Sequence, residues 1–123
     1  MPTVDTKQLV IVDDDKDTRE SLSAFLRAYG YDVSVARDHA ELASRLRTNP
    51  PDLILLDICL PEKNGFQINE EIRSYQIPVI FITAHDGAKS RVGAVFSKCA
   101  AYMVKPIDPD ELMIRIENVL NPG

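Results

Sequence analysis

The chain has 123 residues, 45% of them hydrophobic and 27% charged, with a formal net charge of −5. That length suits a single domain over the whole chain with one core, and the acid excess argues against direct nucleic-acid binding, which needs a basic face to displace counterions. Cys59 and Cys99 are too few for a disulfide framework and form no zinc-ligand pattern. No apolar run approaches the roughly 20 residues of a membrane span, and "MPTVDTKQ" has no signal-peptide character, so the expected compartment is cytoplasmic.

Short aliphatic runs alternate with helical patterns along the chain. "QLVIV" (8–12) is a predicted strand, and it runs directly into Asp13, Asp14 and Asp15. "DTRESLSAFLRAYG" follows, with Leu22, Phe25, Leu26 and Tyr29 at helical spacing and Gly30 as a C-terminal stop. "DVSVA" (32–36) alternates and suits a strand nearer an edge. "DHAELASRLR" is a second helix with Asp38 as N-cap, closed by Asn49-Pro50-Pro51.

"DLILL" (52–56) and "PVIFI" (78–82) are apolar on both faces, which suits central strands of a parallel sheet. Between them "GFQINEEIRSY" is a third predicted helix. A fourth, "GAKSRVGAVFSK", is weakened by Gly87 and Gly93. "AYMV" (101–104) is the fifth strand, and "DPDELMIRIENVL" the last helix, with Asp108 as N-cap, Pro109 at its first position and Leu112, Ile116, Val119 and Leu120 inward. Five β-then-α units imply an α/β doubly wound sheet, with a core from about residue 7 to 120.

Ligands of such sheets sit outside the carboxyl ends of the strands, where strand order switches. The residues expected at those ends are Asp13-Asp14, Asp57, Thr83-Ala84 and Lys105-Pro106. Clustered carboxylates without His or Cys partners favour a hard divalent cation, and Mg2+ fits best. Calcium is excluded in its EF-hand form. Asp13, Asp15 and Asp17 match D-x-D-x-D, but the sixth and twelfth loop positions, which need Gly and Glu, hold Thr18 and Ala24. Asp15 reads as a helix-entrance carboxylate rather than a ligand.

"IVDDD", "PDLILLDICLPEKNG", "VIFITA" and "AYMVKP" together resemble the signature segments of the receiver domain of bacterial two-component response regulators, from about Lys7 to Leu120. The resemblance implies a flavodoxin-like five-stranded parallel sheet, (βα)5, with helices on both faces. It implies that Asp57 accepts a phosphoryl group from a sensor histidine kinase, a phosphotransfer protein or a small phosphodonor. Asp13, Asp14, Asp57 and the Cys59 backbone carbonyl would hold Mg2+, and Thr83, Ala84 and Lys105 would bind the phosphoryl group. Tyr102 resembles the aromatic that turns inward when Thr83 moves.

The implied output surface is the fourth helix, fifth strand and fifth helix, including Arg91, Lys98 and Glu111, with a homodimer through it on phosphorylation. Ala100-Ala101 lacks the acidic residues that support such dimers in receivers fused to winged-helix domains, and Lys98-Cys99 stands where the family often has Gly-Ala. Cys59 and His85, each two residues beyond a site residue, are expected to overhang the site and tune the lifetime of the phosphoryl group. An aspartate-nucleophile phosphohydrolase is the enzyme alternative. It fits less well, because Asp57 is followed by Ile58-Cys59 rather than x-Asp, and no cap domain fits the length. A degenerate receiver acting only as an interaction module is disfavoured by the presence of all five functional residue types.

Overall fold

The computed structural model describes residues 6–13, 15–57, 75–83, 101–104 and 106–121. They include strands β1 (Gln8–Val12), β2 (Asp32–Ala36), β3 (Leu53–Asp57), β4 (Val79–Thr83) and β5 (Ala101–Val104). They also include helices α1 (Lys16–Ala28), α2 (His39–Thr48) and α3 (Pro109–Leu120), of which α3 is the last helix expected from the sequence. The third and fourth predicted helices, "GFQINEEIRSY" and "GAKSRVGAVFSK", lie outside the described residues except for Tyr75.

All pairings are parallel, in the order β2-β1-β3-β4-β5. Every residue of β3 is buried, as its two-faced apolar run requires, whereas the edge strand β2 buries Val33 and Ala36 but leaves Val35 exposed, so the alternation in its sequence is not carried through in burial. Successive side chains of a strand point to opposite faces, so the apolar runs feed two layers. Val10, Val12, Ile54, Leu56, Val79 and Phe81 pack with Leu42 and Leu46 of α2. Leu9, Ile11, Leu53, Leu55, Ile80 and Ile82 pack with Leu22 and Leu26 of α1 and Leu112, Met113 and Ile116 of α3. The described helices therefore cover both faces, each buried aliphatic side chain contributing about 1.5–3 kcal/mol.

Helix boundaries follow local chemistry. Asp15 caps α1, its carboxylate accepting the Asp17 N–H (3.3 Å) and the Thr18 hydroxyl (2.6 Å). Asp38 caps α2 and Asp108 caps α3, with Pro109 at the first helical position. The α1 C-terminus is a Schellman turn. Gly30 has φ +97°, its N–H donates to Arg27 O (2.9 Å), and the Tyr31 N–H donates to Leu26 O (3.3 Å).

Two sequence expectations shift. Tyr29, placed on the inward stripe, is the C-cap and 57% exposed; its ring leans on Phe25 with centroids 5.0 Å apart, and Ser23 occupies a buried position instead. The third and fourth strands each begin and end one residue later than expected. Asp52 brackets the sheet from outside, its N–H donating to Gln8 O and its carboxylate accepting the Gln8 N–H (both 2.7 Å). Pro78, with no N–H to give, only accepts from Ile54 (3.1 Å).

Candidate functional site

The one-residue shift matters because it makes Asp57 and Thr83 the last residues of β3 and β4. After β1 the sheet grows first to one side through β2 and then to the other through β3, so the switch in strand order lies between β1 and β3. Val12 pairs with Leu56 there, and the next residue on each side is an aspartate, Asp13 and Asp57. Asp57 pairs in turn with Ile82, and Thr83 with Val104. Four neighbouring strand ends, spaced about 4.8 Å apart, thus bring Asp13, Asp57 and Thr83 to one edge, beside the last residue of β5.

Asp13 is fully buried and Asp57 is 6% exposed. The Asp13 N–H donates to Ala36 O (3.2 Å), extending the β1–β2 ladder by one residue. Its carbonyl accepts from Arg19 Nη1 (2.8 Å), and its Oδ1 accepts the Asp15 N–H (2.9 Å). Two carboxylates buried at adjacent strand ends make an oxygen-only donor pair, the chemistry a hard divalent cation prefers. Among the described residues no group of three or more His, Cys, Asp or Glu side chains is gathered for a metal, and Asp14 lies outside them.

Cys59, Ala84, His85 and Lys105 also lie outside the described residues. Thr83 and Tyr102 are placed by their strands alone, at the end of β4 and within β5. A cavity of about 500 Å³ opens between the start of α1 and the segment after β5, lined by Asp17, Thr18, Ser21, Leu22, Pro106 and Ile107. Arg37, the residue after β2, pairs with Glu41, its Nε and Nη2 both on Oε2 (3.1 and 3.0 Å) and its backbone N–H on Oε1 (2.7 Å). Arg19 was not among the residues expected from the sequence. Its signal there is a cation one turn into a helix, where the dipole disfavours positive charge.

The sequence model of the response regulator receiver domain matches residues 9–117. Among curated proteins, the chain is 32% identical over 115 residues to the response regulator MprA of Mycobacterium sp. (strain KMS), covering 92% of this chain and 50% of that protein. It is 35% identical over 117 residues to the response regulator Rre1 of Synechocystis sp., covering 91% of this chain and 51% of that protein. The chain thus spans about half the length of these relatives. Among solved structures, a two-component response regulator from Clostridium difficile superposes with a TM-score of 0.86 at 27% identity, covering 94% of this chain and 96% of the other. A CheY-like receiver domain protein from Methanospirillum hungatei gives 0.86 at 27% identity and 95% coverage of both chains.

Proposed function

The chain belongs to the response regulator receiver domain family, and on that premise we propose that Asp57 is the phospho-acceptor of a switch operated by a sensor histidine kinase or phosphotransfer protein. The observation that carries this reading is the burial of Asp57 at the end of a central strand, next to Asp13 across the switch point.

Asp57 attacks the phosphorus of a phosphohistidine or of a small acyl phosphate. The P–N or P–O bond breaks, its electron pair leaves with the imidazole or carboxylate, and an aspartyl-phosphate remains. Asp13, Asp14, Asp57 and the Cys59 carbonyl would hold Mg2+, which when bound supplies positive charge against the phosphoryl oxygens. The Lys105 ammonium pairs with Asp57 before transfer and with the phosphoryl group after it. The Thr83 hydroxyl donates to a phosphoryl oxygen, with Ala84 beside it in the phosphate-binding segment.

Phosphorylation adds roughly −1.5 to −2 charge and three acceptor oxygens. That is enough to draw Thr83 toward Asp57 and let Tyr102 turn inward, changing the surface that includes β5 and α3. A homodimer through this surface, the tuning of phosphoryl lifetime by Cys59 and His85, and action in the cytoplasm complete the reading. Asp57→Asn removes the nucleophile, so incubation with labelled acetyl phosphate and Mg2+ should leave it unlabelled while the unsubstituted protein takes up label. Stoichiometric labelling of the variant would overturn the assignment of Asp57.

A further inference from the structure

We propose that Arg19 is a positioning residue for Asp13, holding the carboxylate in the orientation that binds the divalent cation. This rests on reading Asp13 as a ligand of that cation. Three bonds from three places fix Asp13: its N–H to Ala36 O of β2 (3.2 Å), its carbonyl from Arg19 Nη1 of α1 (2.8 Å), and its Oδ1 from the N–H of Asp15, the α1 cap (2.9 Å). Of these three, the Arg19 bond is the one a side chain supplies. It reaches back six residues to Asp13, just past the end of β1, so it holds the Asp13 backbone in place while the Asp15 N–H holds Oδ1.

The Asp13 and Asp57 carboxylates attract a guanidinium here, while the positive end of the helix dipole one turn away and a bound dication oppose it. Charge therefore does not by itself define what Arg19 does, and the directional bond to the Asp13 carbonyl fixes where it sits. Outer-shell partners of metal ligands act in this way, and removing one typically weakens metal binding by roughly 10–100-fold.

The two roles Arg19 could play predict effects of opposite sign. Loss of a nearby positive charge should tighten Mg2+ binding, whereas loss of a positioning bond should weaken it. Arg19→Met keeps the aliphatic stem and its packing but removes the donor. Calorimetric Mg2+ titration of the unphosphorylated protein should show Arg19→Met binding roughly ten-fold more weakly, with its urea midpoint near that of the unsubstituted protein. The Asp15 amide of the metal-free variant should also exchange faster with solvent.

Binding as tight as, or tighter than, that of the unsubstituted protein overturns the proposal. Arg19→Gln, neutral and too short for the same reach, answers the same question if the Met variant does not fold. Asp13→Asn separates the two readings. If it leaves Mg2+ affinity unchanged, both Asp13 as a ligand and Arg19 as its positioner fall. If it weakens binding while the Arg19 variants do not, only the role of Arg19 falls.

Discussion

Asp13 and Asp57 are buried side by side at the ends of adjacent strands. Unit charges one strand spacing apart, about 5 Å, repel by roughly 3 kcal/mol at an effective dielectric near 20, a repulsion that a bound cation relieves. Asp13→Asn keeps the shape and the acceptor oxygen for Asp15 while removing one charge. It should raise metal-free stability by about 1–2 kcal/mol in urea unfolding with chelator present, and the gain should disappear at saturating Mg2+. Glu41 offers a second residue-scale test. The backbone N–H of Arg37, then its guanidinium, holds the Glu41 carboxyl below its ordinary value. A depressed folded value gives stability that is present above the unfolded value of about 4.3 and lost as pH falls through the folded one. The melting temperature of Glu41→Gln should therefore lie slightly below that of the unsubstituted protein near neutral pH, and the gap should close in acid. Sequence reasoning found Asp13 and Asp57 at one edge and Asp15 at the helix entrance. It missed Arg19, because a side chain reaching back to a backbone carbonyl leaves no spacing pattern.

The elements were legible where side-chain chemistry sets their limits. Asp38, Asp108 and Pro109 cap and start their helices as the sequence indicates, since these side chains act on the nearest backbone groups. Gly30 ends α1 with φ +97° and has no heavy atom within 4 Å of where a Cβ would stand. The cost of Gly30→Ala is thus backbone strain alone, about 1–2 kcal/mol, measurable as a lowered urea midpoint with the slope unchanged. The limits of β3 and β4 were less legible. Apolar runs mark where a strand is buried, but the ladder continues through Asp57 and Thr83, whose backbones pair as well as any valine's. Hydropathy therefore placed the site residues just beyond the strands that in fact contain them. Tyr29 misled for a related reason: the helical stripe is real up to the residue where the helix stops, and the Schellman turn rotates the next side chain out of it.

The whole molecule follows from its alternation of runs. Five aliphatic segments, two of them apolar on both faces, require a parallel sheet with helices on each side, and the described strands and helices have that arrangement. The order β2-β1-β3-β4-β5 was not written in any one segment. It follows from pairing across long separations, such as Leu9 with Leu53, that hydropathy does not encode. What the sequence did encode is that Asp13 follows one strand while Asp57 and Thr83 close two others, which in a parallel sheet sends all three to one edge.

The path of α3 has a further consequence. It starts at Pro109, just after the edge that carries Asp57, and packs Leu112, Met113 and Ile116 into the same layer as Leu9 and Leu53 at the starts of their strands. Twelve residues at 1.5 Å each return the chain about 18 Å toward the opposite pole. Anything tethered beyond Leu120 would hang from the pole opposite the edge that carries Asp13 and Asp57. Between that pole and the acidic edge runs the helix itself, its outer surface carrying the 59% exposed Ile114 and the Arg115–Glu111 pair (3.1 Å), so α3 works as a strut between the two ends.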